Sequence, residues 1–237
     1  MPGQSLTPSE AANFTAALLV GYGAAPGDAQ VVADHLVEAE TSGLPSHGLI
    51  RVPQYVDEIL SGAIDPRAVP GTRKTNTGRV EIDALRCFGQ VAAELAVQHS
   101  ARLAKEQGLA LVTVRQSGHA GRIGAYAEHL GGAGFLALIY CSGPRSGHRV
   151  APFGGRDGRL ATNPVAFAIP TSDQPIVGDF STAASPEGRI RSRRNQGLDA
   201  PPDTLLDAEG VETIDPNALY SSPPGAIMPF GGERLGH

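Results

Sequence analysis

A serine, a histidine and an arginine lie close together in the sequence, between two stretches with helical periodicity. Ser46 and His47 are adjacent, and Arg51 follows His47 by four residues, so a helix starting at Ser46 would project His47 and Arg51 from one face. Reduction of a carbonyl compound needs a proton donor, which a histidine can supply, and a guanidinium holds a carboxylate through two parallel hydrogen bonds. The alternative interpretation is a capping serine beside two surface residues, and the spacing alone favours it.

A second group of candidate residues occupies a glycine-rich turn at 115–124, between a predicted strand and a predicted helix. Gly118, Gly121 and Gly124 would let the backbone approach a ligand closely, and the N-terminus of the helix favours an anion. The spacing G-x-x-G-x-x-G differs from the G-x-G-x-x-G of a Rossmann turn. A turn that simply serves packing is an interpretation of equal weight, so this segment alone is a weak phosphate-binding signal.

Polar residues also stand at the ends of three predicted strands. Ser142 follows one strand, the segment Ala-Thr-Asn-Pro at 161–164 leads into another, and Asp179 lies at the end of a third. Loops at strand ends often contact ligands. The Asp179 carboxylate could orient a histidine, as carboxylates do in other proton relays. A turn-forming aspartate is the alternative interpretation of this residue.

Three predicted helices precede and carry the first group. The first begins after Thr7, whose hydroxyl can form a capping box with the Glu10 carboxylate, and ends at Gly21. The second is predicted over 26–43 and the third over 46–61, each from an apolar stripe with helical spacing. An internal proline of the third helix indicates a kink.

Strands and helices alternate in the middle of the chain, which indicates an α/β fold. Helices are predicted at 90–107 and 118–130, and strands at 71–83 (two, around the turn at 75–78), 109–114, 135–140, 165–169 and 176–179. The apolar strand at 135–140 is predicted to be buried. Beyond Gly197 the chain is rich in proline and aspartate and is predicted to be mostly loop.

Composition excludes several classes of protein. Hydrophobic residues make up 41% of the 237 residues and the net charge is -5, which fits a globular core and disfavours nucleic-acid binding. The arginine-rich run at 189–194 is interpreted as a solvated helix face. The two cysteines, Cys87 and Cys141, form neither a disulfide framework nor a metal site. The sequence lacks a signal peptide and a membrane span, so we expect a cytoplasmic protein without a membrane partner.

The motifs occur together in a recognisable order. Ser46-His47-Gly48 with Arg51, the Gly118-His119 turn, and the segments at 161–164 and 179–182 resemble the malate/L-lactate dehydrogenase family, and the likeness extends through 207–210 and 215–216 to 229–232. This family comprises non-Rossmann NAD(P)-dependent oxidoreductases, such as L-sulfolactate dehydrogenase-like proteins. The resemblance implies hydride transfer between NAD or NADP and a small 2-oxo or 2-hydroxy acid such as malate or lactate.

The resemblance also implies an architecture. A helical N-terminal part (1–70) would contribute to the substrate site and pack beside a non-Rossmann α/β cofactor-binding domain (71–200). A loop-rich return segment (201–237) would follow, and the protein would be a homodimer. The sequence chooses neither between NAD and NADP nor among the possible acids.

Roles for individual residues follow from the same resemblance. Ser46, His47 and Asp179 would form the relay that delivers the proton, and Arg51 would bind the substrate. No metal is implied. Nine residues would lie along the cofactor: His119, Ala120, Gly121, Arg122, Ile123, Ser142, Thr162, Asn163 and Pro164.

The sequence departs from the family in three places. Ala161 stands where the family usually has glycine, and Thr204 where a tryptophan is common. The family continues past the final Gly-Gly turn with a Lys-Gly-Tyr segment and several helices, whereas this sequence stops at His237. The alternative function is therefore a truncated, catalytically impaired cofactor-binding remnant that is prone to aggregate.

A serine hydrolase that uses Ser46, His47 and Asp179 is a less favoured alternative. Ser46 directly adjoins His47, and the sequence has no G-x-S-x-G nucleophile elbow.

Overall fold

Helices form the N-terminal part of the chain in the computed structural model, which describes residues 5–231. Helix α1 (Pro8–Gly21) starts with the predicted capping box: the Thr7 N–H donates to the Glu10 carboxylate at 2.8 Å, and the Glu10 N–H donates to the Thr7 hydroxyl at 3.3 Å. Helix α2 (Pro26–Thr41) packs against α1 through apolar side chains of both helices. The first two helices therefore form as the sequence predicts.

The third helix starts later than predicted. Two 3₁₀ turns, Pro45–His47 and Leu49–Arg51, come first, and helix α3 spans Val52–Leu60. The prediction of one helix starting at Ser46 and kinked in its interior is wrong. Proline lacks an N–H and fits only the first turn of an α-helix, so Pro53 marks the start of α3 and not a kink within it.

A three-stranded sheet with two further helices follows. Strands β1 (Gly71–Asn76) and β2 (Arg79–Asp83) are antiparallel, and β2 is parallel to β3 (Leu111–Arg115). Helix α4 (Gly89–Gln107) makes the crossover between the parallel strands, and its Leu103 packs on Val80 and Ile82 of the sheet. Helix α5 (Ile123–Gly132) comes after β3, so strand and helix alternate as predicted.

A second sheet has the order β4-β5-β6, with β4 (Ala137–Tyr140), β5 (Val165–Ile169) and β6 (Ile176–Phe180). The expectation that the first of these strands is buried is wrong, because Leu138 and Tyr140 are 62% and 73% exposed. Although β4 consists of apolar residues, only one face of the strand is covered.

The rest of the chain is more ordered than its composition predicts. Helix α6 (Glu187–Asn195) contains the arginine-rich run, and three two-residue strands form a sheet of order β8-β7-β9: β7 (Leu205–Leu206), β8 (Glu212–Thr213) and β9 (Ala226–Ile227). Leu205, Leu219 and Ile227 are fully buried in a core with Ile190 of α6. The segment after Gly197 thus contributes to a hydrophobic core of its own, although long loops join its strands.

The backbone groups into two compact units. The first unit runs to Leu136 and includes Ile169–Pro175, and the second comprises Ala137–Ala168 and the chain from Ile176 onward. The α/β class inferred from the sequence is confirmed. The division by role into 1–70, 71–200 and 201–237 stays a prediction. Within residues 5–231, no helix has the length and apolar character that crossing a bilayer demands.

Candidate active site

The turn that carries Ser46 and His47 is anchored to α2. The Leu49 N–H donates to the Glu40 carboxylate at 3.1 Å, which ties the second 3₁₀ turn to the end of that helix. Within the first turn, the Ser46 hydroxyl lies 3.1 Å from Nδ1 of His47. Both side chains are half-buried. The sequence pair is therefore a hydrogen-bonded pair in the structure.

Arg51 folds back over the same turn. Its Nε donates to the Ser46 carbonyl oxygen at 2.6 Å, and its Nη1 donates to Oε1 of Gln54 at 2.7 Å. Arg51 lies close to Ser46 and His47 in the structure. The single helix that was predicted to project His47 and Arg51 from one face is not formed at 46–51. Two successive 3₁₀ turns and a side chain-to-backbone hydrogen bond replace it.

His119 lies against His47. The two imidazole rings stack with their centroids 5.7 Å apart and their planes 22° apart. Close packing of α4 on the turn before α5 makes this possible, because a Cβ on Gly89 would lie 2.3 Å from the Gly118 carbonyl oxygen. His119, predicted from the sequence to lie along the cofactor, lies beside the predicted proton donor in the structure.

Two buried polar residues position His119 through hydrogen bonds. Tyr55 of α3 lies with its hydroxyl 2.9 Å from Nδ1 of His119, and Nε2 of Gln90 on α4 donates to that hydroxyl at 2.7 Å. Burial raises the pKa of Tyr55, so its hydroxyl stays protonated. Neither residue was predicted from the sequence, since Tyr55 and Gln90 occur in ordinary helical stretches that no motif marks.

The environment of His119 favours its neutral form. Burial, together with the smaller effect of the charges of Arg51 and His47, lowers the pKa of His119 to about 3. A neutral imidazole has one donor and one acceptor nitrogen. His119 is therefore suited to directional hydrogen bonding and not to storing a proton.

His35 of α2 packs against the same turn before α5. Its Nε2 accepts a hydrogen bond from the Arg122 N–H at 2.9 Å, and its ring stacks on Tyr126 at 5.1 Å. Gly121 has φ +75, and a Cβ there would lie 2.3 Å from Nε2 of His35. Burial lowers the pKa of His35 to about 4, so it is neutral and can accept. His35 was not predicted from the sequence either.

In the predicted cofactor-binding turn, the side chains of Arg122 and Ile123 pack against other residues of the protein. The Arg122 guanidinium pairs with Glu38 at 2.7 Å and Glu128 at 2.8 Å and is 11% exposed. Ile123 is buried, and the Ala120 carbonyl oxygen accepts a hydrogen bond from Tyr126. The Ala120 carbonyl oxygen and the Arg122 N–H are therefore both engaged in hydrogen bonds within the protein.

The other predicted cofactor-binding residues belong to the second unit, where three of them share a pocket. It has a volume of about 350 Å³ and is lined by Tyr140, Cys141, Ser142, Asn163, Pro164, Val165 and Thr182. Thr162 supports its wall, because the Thr162 carbonyl oxygen accepts from the hydroxyls of Ser181 at 3.1 Å and Thr182 at 3.0 Å. The structure thus brings Ser142, Asn163 and Pro164 together, although they come from separate loops.

Asp179 lies near the end of β6 with an exposed side chain. It belongs to the second unit, whereas Ser46 and His47 belong to the first. Its part in a relay with them stays a prediction. Across residues 5–231, no three His, Cys, Asp or Glu side chains are grouped as a metal site requires.

Comparisons with known proteins agree on one family. The profile of the malate/L-lactate dehydrogenase family matches residues 6–236. Hydroxycarboxylate dehydrogenase B of Escherichia coli (strain K12) is 36% identical over 223 residues, which are 94% of this chain and 62% of that protein. L-lactate dehydrogenase of Cupriavidus necator is 34% identical over 212 residues, 88% of this chain and 61% of the relative. A solved dehydrogenase from Sinorhizobium meliloti superposes with a TM-score of 0.88 at 33% identity, covering 97% of this chain and 66% of that one.

The chain is shorter than these relatives, since it spans 62% and 61% of the two curated proteins above. The match nevertheless covers almost every residue of the chain. It includes the Ser46-His47 turn, the turn before α5 and the pocket of the second unit. The chain therefore belongs to the malate/L-lactate dehydrogenase family.

Proposed function

We propose that the protein is an oxidoreductase that transfers a hydride between a nicotinamide cofactor and a small 2-oxo or 2-hydroxy acid. The observation that carries this proposal is the stacking of His47 on His119 at 5.7 Å, on the same turn that holds Arg51. A proton-transferring imidazole and a carboxylate-binding cation are the two groups that reduction of a 2-oxo acid requires. Family membership supports the same reaction class.

His47 is the proton donor in this proposal. Of the two stacked imidazoles, His119 is kept neutral by burial, which lowers its pKa to about 3. His47, half-buried and hydrogen-bonded to Ser46, is the ring that can take up and deliver the proton at the substrate oxygen. Asp179 completes the relay in the proposal, as the family resemblance implies.

Arg51 binds the substrate carboxylate in the proposal. Its bonds to the Ser46 carbonyl oxygen and to Gln54 orient the planar guanidinium beside the histidines. A guanidinium in a defined orientation recognises a carboxylate with two parallel bonds, which fixes the adjacent carbonyl carbon in one position. A small 2-oxo acid carries these two groups on neighbouring atoms.

The second unit offers a suitable place for part of the cofactor. Its pocket of about 350 Å³ is lined by Ser142, Asn163 and Thr182, and hydroxyl and amide side chains of this kind suit ribose, phosphate or carboxamide groups. Bound NADH or NADPH supplies the hydride. Ser142, Asn163 and Pro164 would hold part of the cofactor here, and residues 119–123 stay predicted cofactor contacts, as the family resemblance implies.

Compartment and assembly form a further part of the proposal. We place the protein in the cytoplasm, as a homodimer, without nucleic-acid or membrane partners. The net charge of -5 and the exposed apolar side chains Leu136 and Leu138 support a protein that binds another protein surface and not a phosphate backbone. Sedimentation of the purified protein tests the homodimer, and a monomer at micromolar concentration would contradict it.

Replacement of His47 tests the reaction. We expect His47→Ala to lower turnover of 2-oxo acids by about 10²–10⁴-fold, the usual contribution of a positioned acid. Binding of NADH or NADPH, followed by quenching of cofactor fluorescence, should be unchanged. The assay uses a panel of 2-oxo acids with each cofactor, and the exposed His129→Ala serves as the control.

Two outcomes would contradict the proposal. Near-normal turnover of His47→Ala would transfer the proton-donating role to His119. Absence of turnover in the unmodified protein with every acid and both cofactors, while the cofactor still binds, would favour a binding protein over an enzyme.

A further inference from the structure

We propose that Gln90 is a positioning residue that determines which nitrogen of His119 carries the proton, and that it acts through Tyr55. The three side chains come from α4, α3 and the turn before α5, so the link is purely tertiary. Gln90 is 1% exposed and Tyr55 fully buried. Only the kinetic consequence rests on the proposed function, because the tautomer of His119 is measurable without turnover.

The direction of the hydrogen bonds fixes the tautomer. Nε2 of Gln90 donates to the Tyr55 hydroxyl at 2.7 Å, and an amide nitrogen has no lone pair to accept in return. The single hydroxyl hydrogen of Tyr55 is then directed to Nδ1 of His119, 2.9 Å away. Nδ1 must accept, so the imidazole hydrogen of neutral His119 resides on Nε2.

The Gln90 amide has two possible orientations, and each leaves a different polar atom without a hydrogen-bond partner. With Nε2 toward Tyr55, the buried Oε1 has no hydrogen-bond partner within residues 5–231. With the amide reversed, the two hydrogens of the NH₂ group would take that position, and buried unpaired donors are rarer in proteins than under-satisfied carbonyl oxygens. Reversal of the Gln90 amide would also invert both hydrogen bonds, the one between Gln90 and Tyr55 and the one between Tyr55 and His119. The His119 hydrogen would then reside on Nδ1.

The consequence concerns the division of labour between the stacked histidines. With Nδ1 occupied by Tyr55, His119 presents Nε2–H as a fixed hydrogen-bond donor, while His47 transfers the proton. A donor that is oriented before the substrate arrives stabilises charge on a carbonyl oxygen without reorganising during the reaction. Gln90 contacts neither substrate nor cofactor in this scheme, since it contributes only through Tyr55.

Nitrogen NMR of the imidazole rings at pH 7 tests the proposal on the complete protein. His119 is assigned by the signals that disappear in His119→Gln. We expect the unmodified protein to give one His119 form, with the hydrogen on Nε2 and Nδ1 as acceptor. Gln90→Met keeps the volume but removes the donor, so a second form with the hydrogen on Nδ1 should appear. Gln98→Met, an exposed position on the same helix, should leave the spectrum unchanged.

A second variant guards against misfolding of the first. Tyr55→Phe removes the hydroxyl and keeps the ring, and it should likewise yield a mixture of His119 forms, with cooperative unfolding confirming that the variant is folded. Where turnover is measurable, both variants should lower kcat more than they change KM.

The proposal is overturned if unmodified His119 carries its hydrogen on Nδ1, or if a folded Gln90→Met or Tyr55→Phe protein keeps a single Nε2–H form. Loss of turnover in the unmodified protein together with the expected tautomer would refute the proposed reaction and leave the role of Gln90 intact.

Discussion

Acidification should destabilise the first unit through His35. Burial lowers the pKa of His35 from 6.5 to about 4 in the folded protein. In the unfolded chain this side chain takes up a proton as the pH falls through its ordinary pKa, whereas in the folded protein it does not until about pH 4. Between these values the unfolded state binds more protons, so the free energy of unfolding decreases as the pH falls.

The size of the effect follows from the two pKa values. The full difference corresponds to about 3 kcal/mol, of which roughly 2 kcal/mol should be lost between pH 7 and pH 5. That is a large part of a typical domain's stability of about 5–15 kcal/mol. Protonation of Nε2 in the folded protein, at about pH 4 and below, also removes the acceptor for the Arg122 N–H, so the turn before α5 should loosen in that lower range.

Urea unfolding followed by circular dichroism at pH 7, 6 and 5 measures the global effect, and hydrogen exchange of the segment 118–126, compared between pH 7 and about pH 4, measures the local one. We expect His35→Gln, which retains an acceptor oxygen but does not titrate, to lose about 2 kcal/mol less than the unmodified protein over this range. His129→Gln replaces a mostly exposed histidine of α5 and serves as the control. Equal pH dependence of His35→Gln and the unmodified protein would refute the reasoning.

Two further substitutions test other contacts of the site. Arg51→Lys keeps the positive charge but loses the planar pair of donors, so kcat/KM for 2-oxo acids should fall by an amount equivalent to about 1.5–3 kcal/mol, and an unchanged value would contradict substrate binding by Arg51. Gly121→Ala forces a methyl group to 2.3 Å from Nε2 of His35 at φ +75, so the thermal unfolding temperature should fall. Gly132→Ala on α5 has no neighbour within 4 Å and should be tolerated, so an equal effect of the two alanines would exclude this steric explanation.

Local signals in the sequence were sufficient for most of the helices and strands. The capping box of Thr7 and Glu10 and the apolar stripes of α2 and α4 depend on residues within a few positions of one another, so they can be read without knowing the fold. The start of α3 was misjudged because Ser46 resembles a capping residue. The proline two residues into α3 was the better signal, since it fits only the first turn.

Burial was harder to predict than secondary structure. The apolar composition of β4 indicated a buried strand, yet only one face of it is covered, because burial depends on which elements pack against each face. The segment after Gly197 was predicted to be mostly loop, and this prediction said nothing of a core. Its proline-rich loops concealed Leu205, Leu219 and Ile227, which meet in one core although they are separated along the chain.

The candidate site was predictable only where its residues are unusual. Ser46, His47 and Arg51 combine side chains suited to proton transfer and carboxylate binding within one short segment, and His119 stands in a glycine-rich turn. Tyr55, Gln90 and His35 act through contacts with residues far away in sequence, at 2.7–2.9 Å. Each occupies a helix where a tyrosine, glutamine or histidine has no local meaning, so nothing short of the fold could identify them.

Two glycines explain how histidines from distant segments come to stack. Gly89 opens α4 at the point where the helix meets the turn that carries His119, and any side chain there would collide with the backbone at 2.3–2.5 Å. Gly121 lets the same turn rest on His35. Each glycine gives up side-chain packing to allow a backbone approach that a Cβ would block. The two approaches bring the turn against α4 and α2, and His119 on this turn stacks on His47. Within the glycine pattern that resembles a phosphate-binding loop, Gly121 is therefore explained by packing on His35.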